Sequence, residues 1–547
     1  MTSRLLALCA IIWSLQTICA QDKAMRAGAP YPKTVKGLEG DVQLVANGIT
    51  DLSGNPVLFM MEGNGYRAVR LGADLKPFED LSLAQQTFEG AKWDAVSSII
   101  ADDKLQVLFV SNTKKTADYG IGRLNTEGAF SIQDFHRVAM FDYPNAFDPS
   151  NTTCRKTLPD LILFDSGAAY DQSDRIVPSP DGQHYLVNHY TSYQKGKKKF
   201  WFACLDRSFQ KEWSGVAELP FDDIGSDIHQ IVLDNSGRII LLTYNFPCAD
   251  QGREGDKLCH ETHLTVIKDQ GTRVKDLLLE KDFVSSARVM AKDNGKLLIA
   301  VRYGALTGQP GFVVSLDTMM AKLKPTPLMD QRVPAIRKTK LTTFGVPDDG
   351  SGKKPSGTRA AKVPDEIIEL LPAWNGGTLL IEGFRDQDLQ VQLGEATAIR
   401  TLHGAVRATY FDASDSIRWQ QTVDRAFMTT AGESYGSAAF KLLPEGLLLA
   451  YNNTPGGIEA INNSYADASG KKKEKAPIEK SELKWAFIPA NGGAPKVKSV
   501  GKPEGDFTIC PMTMVRSRAG DKLWIKAYDR GEQHLFVEVD PKVLDKE

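Results

Sequence analysis

The chain is built from short apolar runs broken by polar turns, with no long helical periodicity. Six stretches share one form: "VPSPDGQHYLVNHYTS" from Val177, "IVLDNSGRIILLTYN" from Ile231, "RVMAKDNGKLLIAVRYG" from Arg288, "IIELLPAWNGGTLLIEGF" from Ile367, "AAFKLLPEGLLLAYNN" from Ala438 and "TMVRSRAGDKLWIKAYD" from Thr513. Each has an apolar run, a turn rich in Asp, Asn or Gly, and a second apolar run ending near an aromatic residue. That is the pattern of a β-hairpin. Two fainter copies start at Gly48 and Ser97, which makes eight.

A second hairpin follows most copies, as in "FWFACLDRSFQKEW" from Phe200, "HLTVIKDQGTRVKDLLL" from His263 and "WAFIPANGGAPKVKSV" from Trp485. Two hairpins per repeat give four antiparallel strands, repeated every roughly 50 to 80 residues, which is the arithmetic of a β-propeller. The expectation is an all-β, eight-bladed propeller. Seven blades stay open as the alternative, because the second copy is the weakest. The last repeat has strands around Lys522 and from His534 to Val539 but no fourth, and Tyr31 to Gly37 is expected to supply it by pairing the two ends of the chain. That would remove two exposed sheet edges.

In a strand, residues an odd number apart face opposite sides. His184 and His189 are therefore expected to diverge rather than converge on one metal.

The first twenty residues break the pattern. Arg4, the apolar run Leu5 to Leu15 and the small residue Ala20 read as a secretory signal peptide cut after Ala20. Residues 21–547 then form the propeller domain, with the mature protein periplasmic or secreted. Cys19 raises the alternative of a lipoprotein, but Gln16-Thr17-Ile18 is a poor match to that signal. No later run approaches the ~18 apolar residues of a transmembrane helix. The net charge of −2 gives no bulk attraction to nucleic acid.

Beyond the signal lie Cys154, Cys204, Cys248, Cys259 and Cys510. An odd count leaves at least one thiol free or paired outside the chain. Cys248 and Cys259 sit in "FPCADQGREGDKLCHETH", between two predicted strands whose ends must lie close, and a disulfide there is the expectation. The alternatives are two free thiols, or a zinc site of Cys248, Cys259, His260 and His263, although the spacing matches no familiar zinc module.

The phrase Asp206 to Trp213, followed by Glu218-Leu219-Pro220 and Leu233-Asp234-Asn235-Ser236-Gly237, resembles uncharacterised exported proteins of the Bacteroidetes group of bacteria. The resemblance implies a propeller fold and export; it brings no activity and no catalytic residues. The chain departs from that pattern around Cys248 to His263.

Other motifs weaken on inspection. "GESYG" at Gly432 to Gly436 has the form of a serine-hydrolase elbow, but Pro444 comes too soon for the supporting helix, so Ser434 is not expected to be a nucleophile. "GVPDDGS" from Gly345 has Ser351 where a phosphate loop needs lysine. Asp222, Asp223 and Asp227 form an acidic segment, read as a solvated loop with weak calcium binding as the alternative. Lys195 and Lys197 to Lys199 are read as a soluble loop.

The long segments are Val138 to Ser173, Ser192 to Lys199, Phe246 to Thr262, Pro325 to Pro364, Arg385 to Leu402 and Thr454 to Glu482. All fall between second and third strands or between blades, hence on one face. The functional expectation is an exported, non-catalytic binding or scaffolding module, with no cofactor. A partner, unidentified but an envelope protein or glycan in kind, would dock on the long-loop face. The alternative is an envelope enzyme acting on a glycan through carboxylates at the channel mouth.

Overall fold

The structure is a computed structural model, and it describes residues 25–28, 31–32, 44–62, 65–113, 115–142, 175–190, 196–223, 225–245, 261–268, 273–280, 284–303, 311–317, 325–328, 366–393, 396–429, 438–457, 481–500, 508–516, 522–528 and 533–540. It is an all-β propeller of eight blades, each an antiparallel sheet. All eight hairpins expected from the sequence are present, seven as the first two strands of a blade; in blade 2 the short strand Gln86–Phe88 precedes the hairpin Ala91–Ala101 and Lys104–Asn112. Blade 4 is representative, with strands Ser226–Leu233, Ile239–Asn245, Glu261–Lys268 and Arg273–Glu280 in that spatial order.

Position within a blade explains composition. The second strand of blade 5, Leu297–Tyr303, is buried at every residue because neighbouring blades cover both its faces. Such a strand reads as a continuous apolar run. The outermost strand of blade 3, Lys211–Asp222, alternates exposed and covered positions along most of its length. Each apolar cluster spans one pair of neighbours. Leu186, Phe202 and Cys204 of blade 3 pack on Leu233, Ile239 and Leu241 of blade 4, for example. Trp524 and Phe536 of blade 8 pack on Leu58, Val69 and Leu71 of blade 1. Burying one such Leu or Phe side chain contributes about 1.5–3 kcal/mol.

Blade 8 has three strands from the end of the chain, Thr508–Arg516, Leu523–Tyr528 and Gln533–Val539. Met25–Ala27 lies beside the last of these, with Met25 opposite Val539, and Tyr31–Pro32 pairs with His534 and Gln533. The pairing thus begins earlier in the chain than the expected Tyr31 to Gly37, and residues 33–37 lie outside the described residues.

Three expectations need correction. Arg385 to Leu402 is not a loop. The second and third strands of blade 6, Thr378–Leu393 and Ala396–Phe411, run on as a paired ribbon to Leu393 opposite Ala396. Lys197 to Lys199 is not a loop either, since it opens the strand Lys197–Asp206, and Lys198 is buried. Asp223 is buried rather than solvated. In the last two cases opposite charges far apart in sequence meet in space, which a local reading of charge cannot foresee.

Candidate functional site at the loop face

Antiparallel order places the turns from strand one to two and from strand three to four on one face of the ring. These turns are tied blade to blade. Arg70 Nη2 donates to the carbonyls of Thr126 and Gly128 across the junction of blades 1 and 2, and Arg207 pairs with Asp102 between blades 2 and 3. The Asp181 amide donates to Asn235 Oδ1 at 3.1 Å, and Arg238 reaches the Gly295 carbonyl at 2.5 Å. Lys292 Nζ meets Asp415 Oδ1 at 2.5 Å, and the Trp419 indole donates to the Ala490 carbonyl at 3.0 Å. The turns themselves are stiff. In one, Asp234 Oδ1 accepts from the amides of Ser236 and Arg238, while Gly237 takes φ +77°, a conformation costly for residues with a Cβ.

The opposite face carries the connections between second and third strands and between blades. Beneath it, buried polar groups join blades in place of apolar contacts. Gln230 of blade 4 exchanges two hydrogen bonds with the backbone of Val289 in blade 5, at 3.0 and 2.8 Å. Asn452 of blade 7 does the same with Ile509 of blade 8, at 2.7 and 3.2 Å. A side-chain amide thus stands in for a strand partner and satisfies backbone groups at the sheet edge. Between blades 5 and 6 the carboxylate of Glu382 is held by Arg302 and Arg407, all three without solvent exposure. His189 Nδ1 lies 2.8 Å from the Tyr119 hydroxyl of blade 2, and burial pulls the His189 imidazole down to about 3, keeping it neutral.

The most chemically distinctive group lies at the junction of blades 3 and 4. Lys198 Nζ is 2.5 Å from Asp223 Oδ1, with both side chains buried, and the ammonium lies 5.8 Å from the centre of the Tyr190 ring. Arg175 stands over the same ring at 4.9 Å. Asp227, on the innermost strand of blade 4, retains partial exposure. Enclosure by protein pushes its carboxyl above the ordinary carboxylate value, opposed by Lys198 and reinforced by Asp223. A carboxylate paired with a buried lysine, near a second carboxyl raised by enclosure, places two acids in different surroundings.

The acidic segment was visible in the sequence, but its lysine partner was not. His184 and His189 do diverge: His184 faces Glu212 on the outer strand of its own blade, and His189 faces blade 2. Cys248, Cys259 and His260, Ser434 with its flanking motif, and Gly345 to Ser351 lie outside the described residues. His263 is described and stands between Asp276, at 2.7 Å, and Glu261, at 3.1 Å. Burial alone would lower its pKa, but these two carboxylates raise it.

No protein-family model matches the chain. No match was found among curated proteins. The fold is similar to that of a protein of unknown function from Bacteroides caccae, at 10% identity over 53% of this chain and 83% of that chain, with a TM-score of 0.23. It is also similar to the β-propeller domain of the Trilobed protease from Pyrococcus furiosus, at 9% identity over 72% and 96% of the two chains and a TM-score of 0.30. Prolyl oligopeptidase B from Galerina marginata is matched at 8% identity and a TM-score of 0.38, over 92% of this chain and 56% of that chain. These similarities are distant and structural, and no sequence family accompanies them.

Proposed function

We propose that this protein is an exported, non-catalytic binding or scaffolding module of the cell envelope that receives its partner on the long-loop face. The observation that carries this reading is the asymmetry of the ring. One face is a set of short turns tied across six successive junctions. On the other lie the strand ends from which the chain's long connections depart, beside a buried polar layer. A rigid scaffold carrying long connections on one side is the usual arrangement of a recognition surface. An envelope protein or glycan is the partner class, since the leader-like N-terminus points to export.

A second reading, an envelope enzyme acting on a glycan, is favoured by one observation: the raised carboxyl of Asp227 beside the lysine-held Asp223. Glycosidases use two carboxyl groups placed across the scissile bond, one of them with a raised pKa.

The test is capture from envelope extracts, followed by hydrogen exchange on the complex. Protection of the strand ends flanking 246–260 and 458–480 supports docking on the loop face. Protection confined to the turns at Asn235 to Gly237 and Asn294 to Lys296 overturns it. Glycan cleavage that is lost in Asp227→Asn replaces the first reading with the second.

A further inference from the structure

We infer that His184, Cys204 and Glu212 form a zinc site on the tight-turn side of blade 3. His184 opens the second strand, His184–Tyr190; Cys204 lies near the end of the third; and Glu212 lies near the start of the fourth, Lys211–Asp222. Three adjacent strands bring them together. Cys204 pairs with Leu186, two residues along from His184 on the same face. On its other side the register slips between Cys204 and Leu205, where Trp213 and Lys211 are the successive partners. That irregularity is what brings Glu212, the residue between them, toward the thiol.

The ligand atoms converge. His184 Nδ1 is 3.0 Å from Glu212 Oε2, Cys204 Sγ is 3.9 Å from the same oxygen, and all three atoms lie within 4.8 Å of one another. Around a tetrahedral zinc with Zn–S of about 2.3 Å and Zn–N or Zn–O of about 2.0–2.1 Å, ligand atoms sit about 3.3–3.6 Å apart. The separations of 3.0 and 3.9 Å each differ from these by a few tenths of an ångström.

The chemistry fits as well. Thiolate, neutral imidazole and carboxylate are a ligand set suited to zinc, and three protein ligands leave a fourth position for water or another donor. A thiolate and a carboxylate sum to two negative charges, so a divalent ion leaves the group neutral, which a partly buried site favours. The thiol is fully buried among apolar side chains, including Leu186, Phe202 and Leu233, and its side-chain hydrogen-bond partner is Glu212. His184 and Glu212 remain partly exposed, at 29% and 37%, and so provide the entry path for the ion. In one reading Cys204 is only a small apolar filler and His184 only a hydrogen-bond partner of Glu212; the convergence of three different donors on one point is what that reading leaves unexplained.

The experiment is titration of the reduced full-length protein with Co²⁺ as an optical stand-in, then with Zn²⁺ in competition. Wild type should develop a thiolate-to-cobalt charge-transfer absorption, bleached by one equivalent of Zn²⁺. Cys204→Ser should abolish that absorption. Glu212→Gln and His184→Gln, at partly exposed positions where folding is expected to survive, should weaken Co²⁺ binding at least tenfold. Absence of the absorption in wild type overturns the inference. So does its persistence in Cys204→Ser, which would assign the binding to other cysteines, and so does unchanged affinity in both exposed variants.

Discussion

His189 makes the stability of the blade 2–3 junction depend on pH in a direction the structure fixes. Its imidazole accepts from or donates to the Tyr119 hydroxyl at 2.8 Å, packs near Trp201, and is pulled by burial, with help from Arg175, from 6.5 to about 3. The unfolded chain therefore takes up a proton first as pH falls. The neutral imidazole carries no pH-dependent cost above about 6.5; below it, stability falls by about 1.4 kcal/mol per pH unit until the folded value is reached. At pH 5 the folded group is still neutral, so the loss depends almost entirely on the unfolded value. Over about 1.5 units it amounts to about 2 kcal/mol. The perturbation is His189→Gln, which keeps a hydrogen-bonding group toward Tyr119 but cannot titrate. Urea unfolding midpoints of both proteins, measured at pH 7.5 and 5.0, are the assay. Wild type should lose about 2 kcal/mol more than the variant between the two conditions. Contributions from other groups, including His263 with its raised pKa, are common to both proteins and cancel in the difference. Parallel losses in the two proteins would refute the claim that His189 is held neutral.

Glu382→Gln should destabilise the protein by about 3–5 kcal/mol, because it leaves Arg302 and Arg407 buried without their counter-charge. Replacing all three by Met, Leu and Met should cost far less, and denaturant titration of both variants checks the contrast. Gln230→Leu should cost about 2–4 kcal/mol, since the N–H and C=O of Val289 both lose their side-chain partner. A thermal midpoint unchanged in that variant would show that the amide bridge between blades 4 and 5 is replaced by solvent.

Much of the architecture was legible from the residues. Alternation and turn chemistry act over a few positions, so "IVLDNSGRIILLTYN" specifies its own hairpin: Asp234 builds the turn, Gly237 supplies the positive φ, and the two apolar runs pair from Leu233–Ile239 outward. Counting such hairpins gives the blades, and alternation alone sends His184 and His189 to opposite sides.

The contacts that join blades were not legible, because they couple residues that the chain separates widely. Arg302 and Glu382 are 80 residues apart, and Lys292 and Asp415 are 123 apart. Within blade 3, the pairing of the strands Lys197–Asp206 and Lys211–Asp222 brings Lys198 and Asp223 together out of water, 25 residues apart in the chain. The meeting of His184, Cys204 and Glu212 likewise required a register shift between two strands, a feature set by how the blade twists and packs. Periodicity in the sequence fixed which face of a strand is apolar. Which charge or ligand stands opposite it was decided by strand register within a blade and by the packing of one blade on the next.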